Sequence, residues 1–318
     1  MKNSKIISAG SLLPGHPVTN FDLTKTIDTS NEWIVERTGI KQRYLVKDEL
    51  TSDLAAAAGK IAIKNSDIDS SQIGVIIVAT TTPDRTFPST ATIVQQKLGL
   101  KNAFSFDVQA VCSGFVYALS IADKFIKTGQ VKSALVIGAE TLSKIIDWKD
   151  RTTCVLFGDG AGAVILAAAD NNNEGILKTD LYSDGNHGGI LQTSGGVSFS
   201  QNAGYIEMAG KEVFKHAVSK MSKSIKTIVE DSGLELADID WIIPHQANAR
   251  ILSAVAKKLQ FSEEKIIMTV DIHSNTSAAS IPLALDFAIQ GGKIKKGDII
   301  VLEALGGGLT WGSILLKW

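Results

Sequence analysis

Phe104-Ser-Phe-Asp-Val-Gln-Ala-Val-Cys112-Ser-Gly-Phe-Val-Tyr-Ala-Leu119 joins two periodicities around one cysteine. Its first half alternates apolar and polar residues, as a strand does. From Gly114 to Ile126 the spacing of Phe115, Leu119, Ala122 and Ile126 predicts one apolar helical face. Cys112 therefore falls at a strand-to-helix corner, where free backbone N–H groups and the helix dipole favour a thiolate. That makes it a candidate nucleophile. A small buried residue filling a tight turn is the competing role, and this segment alone leaves both open.

Two later corners have the same character. Asp240-Trp-Ile-Ile-Pro-His245-Gln-Ala-Asn248-Ala-Arg250 ends a short apolar strand in histidine. Met268-Thr-Val-Asp-Ile-His-Ser-Asn275-Thr-Ser-Ala-Ala-Ser280 predicts a strand, a polar elbow and a small-residue helix. Alone, His245 could be an ordinary hydrogen-bonded histidine and Asn275 a helix cap.

The corners belong to a repeat. Asp107–Glu140 and Asp271–Gly306 both read strand, elbow, helix, turn, strand, with Asp107 and Asp271 offset by 164 residues. Upstream, Gln72–Ala79 matches Asp238–His245 at an offset of 166 residues. Identities are few, so the duplication is one of pattern. It places Cys112 and Asn275 at nearly equivalent elbows, with His245 at a strand end of the second half. A pseudo-twofold axis would bring the three to one seam.

Composition narrows the class. A chain of 318 residues with 44% hydrophobic content and six prolines suits a sizeable α/β core. Lys and Arg number 32 against 33 Asp and Glu, which gives no global charge pointing to nucleic acid. The opening MKNSKIISAGSLLPG lacks an apolar stretch of signal-peptide length, and runs such as Ala161–Ala169 are too short to span a bilayer. With two cysteines, the expectation is a cytoplasmic protein with free thiols, Cys154 lying in the core of a strand-like Thr152–Phe157. The polar break Asp170–Gly175 separates two halves, 1–172 with the nucleophile and 173–318 with His245 and Asn275. A glycine-rich lobe is expected over 176–210. A helix is expected over Lys211–Asp231, burying Val213, Phe214, Ala217, Met221, Ile225 and Ile228.

The chain resembles β-ketoacyl-acyl carrier protein synthase III, of the thiolase-fold condensing enzymes, nearly end to end. Six motifs carry the resemblance in order: Thr29–Ile40, the Cys112 elbow, Phe157-Gly-Asp-Gly-Ala-Gly162, Pro244-His-Gln-Ala-Asn248, Asn275–Ser280 and Gly306–Gly312. The resemblance implies an α/β, duplicated α-β-α-β-α layered fold with pseudo-twofold related halves. It also implies a decarboxylative condensation of acetyl-coenzyme A with malonyl-acyl carrier protein, starting fatty-acid synthesis. Cys112 would take the acyl group, since one thioester exchanges for another at little cost. His245 and Asn275 would donate hydrogen bonds to the enolate oxygen left by loss of CO₂. Backbone N–H groups of Cys112 and Gly307 would form the oxyanion hole.

The same resemblance assigns Trp33 and Arg151 to an adenine clamp of coenzyme A, with Arg37 near the phosphates. It assigns Phe87, Leu142 and Phe157 to the acyl pocket, Phe87 reaching across a homodimer interface, and so implies acetyl in preference to long primers. Because a carrier protein is acidic, a basic docking face is expected, with Arg250, Lys257 and Lys258 on one helix and Lys215 nearby. Coenzyme A is a substrate here; no cofactor and no metal are implied. Ser274 departs from the glycine usual before the asparagine.

Other functions remain to be weighed. A thiolase would carry a second active cysteine near the C-terminus, where Gly306-Gly-Gly-Leu-Thr-Trp311 has none. A papain-like Cys-His-Asn hydrolase would hold its cysteine in a different context near the N-terminus. A non-enzymatic acyl-binding module would not need the three polar corners. Phe157–Gly162 fits neither the P-loop nor the dinucleotide spacing, and is expected to be a tight turn at a strand.

Overall fold

Apolar strands alternate with helices through both halves, and the order of pairing repeats. The computed structural model describes residues 2–318. One sheet contains β1 (Ser4–Leu12), β2 (Ile73–Ala79), β3 (Phe104–Val108), β4 (Ser133–Glu140) and β5 (Gly160–Ala168), in the order β1-β5-β4-β2-β3. The other contains β6 (Gly175–Ser183), β7 (Trp241–Pro244), β8 (Ile299–Gly306) and β9 (Thr310–Lys317), in the order β7-β8-β9-β6. β2 pairs parallel with β3 and β4, while β4–β5 and β5–β1 are antiparallel. In the second sheet β7–β8 is parallel and β8–β9 and β9–β6 are antiparallel. The topology is thus duplicated, with β2, β4, β5 and β1 matching β7, β8, β9 and β6.

The helices complete five layers. They are α1 (Asn31–Thr38), α2 (Thr51–Lys64), α3 (Thr90–Leu98), α4 (Gly114–Lys127), α5 (Gly210–Glu230), α6 (Ala249–Leu259) and α7 (Ser280–Gln290). α4 and α7 lie between the sheets: Phe115, Leu119 and Ala122 share one apolar cluster with Ala284, Leu285 and strand residues of both sheets. α2 and α3 cover the outer face of the first sheet, and α5 and α6 that of the second. Leu119 is fully buried, so Leu119→Ala would cost about 2–5 kcal/mol. Glycine lets the central layer close. A Cβ at Gly138 of β4 would collide with the carbonyl of Ala278 just before α7, and one at Gly114 would press to 3.2 Å on the Ala79 side chain of β2.

Three local expectations change. Met268–His273 is not a strand: Val270–His273 forms a short helix, and only a bridge between Ile242 and Ile266 stands where a third parallel strand would match β3. Cys154 is fully buried as expected, but Thr152–Phe157 is a run of turns ending in a bridge from Phe157 to Asn275. Phe214 is 36% exposed, because at its level α5 faces a cleft instead of the sheet. The lobe after β6 holds a small hairpin of Leu191–Thr193 with Ile206–Met208 and a short helix, Val197–Ser200. Among the described residues, no helix is long and apolar enough to cross a membrane.

Candidate active site

Cys112 follows the strand β3 on a single 3₁₀ turn, Val111–Ser113, which runs directly into α4. The turn is strained at Val111, a β-branched residue at φ +49°. Across the seam, the segment before α7 repeats this strain at Ser274 (φ +60°) and Ser277 (φ +48°). Such conformations persist only where the surroundings enforce them. Here Asn275 N–H donates to the Leu156 carbonyl at 3.0 Å and Gly158 N–H donates to the Asn275 carbonyl at 3.0 Å, clamping the elbow from both sides. A Cβ at Gly158 would strike Ser274 Oγ, so glycine lets the two loops approach this closely.

Each side chain is held in a defined state. Asn275 Oδ1 accepts from the Ser277 backbone N–H at 2.9 Å, which leaves its NH₂ group as the end available to the cleft. His245 caps β7, and its backbone N–H donates to the Glu303 carbonyl at 2.7 Å. Its Nδ1 is 2.6 Å from Ser280 Oγ at the start of α7, and that oxygen also accepts from Gln246 N–H at 3.3 Å. The Ser280 hydroxyl can donate its proton to Nδ1, and in that arrangement the neutral ring carries its own proton on Nε2. Burial lowers the imidazole pKa to about 3, so the ring is uncharged.

The cysteine departs from the expectation drawn from the helix end alone. Its side chain is buried, and desolvation pushes the thiol up to about 12, with Glu140 adding to the rise. The N-terminus of α4 and a hydroxyl from Ser277 act in the opposite direction but do not overcome the loss of water. Cys112 is a protonated thiol in this state. Behind it, a Cβ at Gly306 would lie 2.6 Å from Cys112 N, so the end of β8 packs on the nucleophile's own amide. Gly307 follows on the same buried turn, where a Cβ would meet the Leu191 carbonyl at 2.8 Å.

Cys112, His245 and Asn275 line one cleft of about 270 Å³, with Phe157, Leu156 and Leu305 supplying apolar wall. Trp33, Arg37 and Arg250 line the same cleft. The guanidinium carbons of Arg37 and Arg151 lie 4.7 and 5.1 Å from the centre of the Trp33 ring. Arg151 is also tied to the Asp28 carbonyl at 2.9 Å. Leu142 is buried in the apolar cluster that includes Phe157, behind the cleft wall. Phe87 is 82% exposed and does not reach the cleft of its own chain. Lys215, Lys257 and Lys258 are exposed on α5 and α6, outside the cleft that Arg250 borders. No cluster of His, Cys, Asp or Glu is placed to hold a metal ion among the described residues.

Sequence reasoning passed over Ser280, although the motif Asn275–Ser280 contains it. Its hydrogen bond to His245 spans 35 positions, and only the folded chain reveals it. It also passed over Ser277, whose 3₁₀ turn packs on the Cys112 turn, and Glu140, at the end of the strand that the same turn packs against.

Comparisons with known proteins agree with this architecture. The family model for 3-oxoacyl-[acyl-carrier-protein] synthase III matches residues 106–185, and the model of its C-terminal region matches 229–318. The chain is 59% identical over 318 residues to beta-ketoacyl-[acyl-carrier-protein] synthase III of Ehrlichia canis, covering all of both chains. It is 54% identical over 319 aligned positions to that of Rhizorhabdus wittichii, again covering all of both. The crystal structure of 3-oxoacyl-[acyl-carrier-protein] synthase III from Aquifex aeolicus superposes with TM-score 0.95 at 47% identity, covering 99% of this chain and 100% of that one. The Pseudomonas aeruginosa enzyme superposes with TM-score 0.95 at 40% identity, covering 100% of this chain and 98% of that one.

Fold and relatives together define a thiolase-fold condensing enzyme, an acyltransferase. Full-length identity and the two matching models place it more narrowly. The chain belongs to the 3-oxoacyl-[acyl-carrier-protein] synthase III family.

Proposed function

We propose that this enzyme transfers an acetyl group from acetyl-coenzyme A to Cys112 and joins it to malonyl-acyl carrier protein. The products are acetoacetyl-acyl carrier protein, CO₂ and coenzyme A. The observation that carries this reading is the meeting of a buried thiol with two neutral hydrogen-bond donors at one cleft. Acyl transfer forms a thioester on Sγ and releases coenzyme A. The backbone N–H groups of Cys112 and Gly307 serve the tetrahedral oxyanion. Loss of CO₂ from the malonyl group then generates an enolate, which His245 Nε2–H and the Asn275 NH₂ group stabilise until it attacks the acetyl carbonyl. No strong base is needed, which suits an imidazole that burial keeps uncharged.

The cleft mouth suits the rest of coenzyme A. Trp33, flanked by Arg37 and Arg151, offers a planar face between cations for adenine, with Arg37 toward the phosphates. The exposed cations Arg250, Lys257, Lys258 and Lys215, of which Arg250 lines the cleft, supply a docking face for the acidic carrier protein. β3 is an edge strand with Phe104 40% exposed, and a second copy of the chain would cover it and bring Phe87 to the acyl pocket beside Leu142 and Phe157. The halves 1–172 and 173–318 act as one unit, because the cleft lies between them. The enzyme works in the cytoplasm and uses no cofactor beyond its substrates.

Intact mass spectrometry after exposure to acetyl-coenzyme A tests the reading. The wild-type protein should gain one acetyl group and Cys112→Ala none, and octanoyl-coenzyme A should label the wild type far more slowly. Equal labelling of both proteins by acetyl-coenzyme A would remove Cys112 from the mechanism.

A further inference from the structure

Glu212, His216 and Lys220 stand four residues apart on α5 and so share one stripe of its surface. That stripe meets the turn Gly185–Ile190, which follows β6. The His216 and His187 rings lie with their centroids 4.3 Å apart and their planes tilted by 47°. One helical turn further along, Lys220 Nζ donates to Asp184 Oδ2 at 3.4 Å and sits 4.0 Å from the centre of the Trp311 ring of β9. His187 Nε2 is 3.6 Å from the same Asp184 oxygen. Two histidines and a lysine thus converge on a single carboxylate. None of these four side chains lines the cleft.

The turn they hold borders the glycines behind the nucleophile. Asp184 N–H donates to the Leu309 carbonyl at 2.8 Å, and Leu309 N–H donates back to the Asp184 carbonyl at 3.1 Å. A Cβ on Gly188 would have the Gly308 carbonyl as its neighbour at 3.5 Å. Leu191 N–H donates to the Gly188 carbonyl, and the Leu191 side chain lines the cleft. The Leu191 carbonyl is also what a Cβ at Gly307 would meet first. The turn is therefore a strut between α5 and the Gly306–Gly308 loop. Half of its six residues are glycine, none is buried, and Ile190 is its one apolar side chain beyond them. With so little apolar burial, the contact between the two imidazoles is a principal anchor.

We propose that His187 and His216 form a proton-sensitive latch on this strut, shut while either ring is neutral and opened when both are charged. Opening frees the Gly306–Gly308 loop and slows acyl transfer; only this effect on rate rests on the oxyanion role of Gly307 given above. Two neutral imidazoles pack against one another, whereas two imidazolium rings at this spacing repel. The groups around them set the sense of the switch. Lys220 and Lys215 of α5 oppose a charge on His216, and Glu212 offsets part of that. Hydrogen bonds from Asn186 hold the Asp184 carboxyl below the usual carboxylate range, so it is charged here. It pairs with His187 when that ring is charged, but Lys220 already shares it. β9 and β6 present the stacked rings of Trp311 and Tyr182, and burial keeps the Tyr182 phenol protonated. On the neighbouring hairpin, Glu207 turns to Gln192. Burial, His187 and Lys220 together lower the His216 pKa from its ordinary 6.5. Its support for the closed state is therefore present above pH 6.5 and lost as pH falls through the folded value.

Hydrogen exchange of the full-length protein at about pH 5.5 and 7.5, corrected for intrinsic exchange, reads the opening of residues 185–191 and 306–309 directly. In the wild type, opening should rise about fivefold at the lower pH, the scale of two like charges about 4 Å apart in water. His216→Phe and His187→Phe each keep a ring and remove a charge, and should leave both segments equally closed at the two pH values. If Phe itself props the turn open at both, Asn at the same position repeats the test. The ratio of wild-type to His216→Phe acetylation rates should fall by a similar factor over this range, because the titration of Cys112 is common to both and cancels. Opening in the wild type that does not change with pH would overturn the latch. So would an acid rise that persists in both ring-for-ring variants. A switch in exchange with a constant rate ratio would overturn its hold on acyl transfer. If the wild type takes up no acetyl group at any pH, the acetyl-transfer reading fails on its own, and exchange still decides the latch.

Discussion

The two halves begin from one plan and part company at the third strand. In the first half, β3 is a full strand whose Asp107 carboxylate accepts from Thr90 and Ala91 N–H at 2.7 Å, capping α3. In the second half, the matching Asp271 sits in a short helix and pairs with Lys41 at 3.2 Å. Replacing the strand by a helical turn shortens the path into the elbow and lets Leu156 and Gly158 grip Asn275 by its backbone. One half therefore delivers a nucleophile from a strand end. The other delivers a pair of fixed donors, from the end of β7 and from a clamped loop. Duplication supplies two similar corners, and divergence at one strand gives them different chemistry.

That division is sharpest if the two chemical steps separate cleanly. His245→Ala and Asn275→Ala should each retain acetylation of Cys112 while condensation with malonyl-acyl carrier protein falls on the order of 100- to 1,000-fold. Single-turnover measurement of each step decides it, and loss of acetylation in either variant would break the division of labour. On the outer face of the second half, reversing Arg250 and Lys257 together to Glu should lower kcat/KM for the carrier-linked substrate about tenfold. Exposed charges contribute about 0.2–1 kcal/mol each, and reversal adds repulsion to the loss. Acetylation by coenzyme A thioester should be unchanged, and unchanged kinetics with the carrier substrate would dismiss this face.

Ser280→Ala removes the hydroxyl that engages His245 Nδ1 at 2.6 Å. A buried hydrogen bond contributes about 1 kcal/mol net, so condensation should fall about fivefold with acetylation untouched. Equal loss in both steps would mean that Ser280 serves the packing of α7 instead.

The smallest effect is on stability, where the halves titrate at opposite ends of the pH scale. Burial lowers His245 to about 3 and His273 to about 4, so below the ordinary value of 6.5 the unfolded chain binds protons that the folded chain does not. Their contribution is present above pH 6.5 and is lost as pH falls toward 4 and below. Burial raises Cys112 to about 12 and Cys154 to about 11, from an ordinary 9.0. Their contribution is present below pH 9 and lost as pH rises through the folded values. Denaturant titrations of the wild type should show the histidine loss below about pH 6.5 and the cysteine loss above about pH 9. Replacing Cys112 by Ala should soften the alkaline limb and leave the acid limb alone.

Some of this was legible in the residues. The apolar spacing of Phe115, Leu119, Ala122 and Ile126 announces α4, and the repeat from Asp107 to Glu140 and from Asp271 to Gly306 announces two matching sheets. The short helix at Val270–His273 was not, because Met268–Ile272 has the alternation of a strand, and what excludes one is the tertiary clamp on the next three residues. Phe214 fits the apolar face of α5, but whether that face meets a sheet or a cleft is not a property of spacing.

Sequence alone determined that Cys112 and His245 stand at strand-to-helix corners of a duplicated α/β chain and Asn275 at the elbow before a small-residue helix, since periodicity and corner chemistry are local. Tertiary structure decided their protonation and geometry. A helix end argues for a thiolate, yet the thiol is held at about 12, because solvent exclusion depends on what the second half of the chain packs against it. Likewise the Nδ1 side of the His245 ring is engaged by a serine 35 residues away. Desolvation and long-range hydrogen bonds exist only once the chain has closed, and they set what each residue can do.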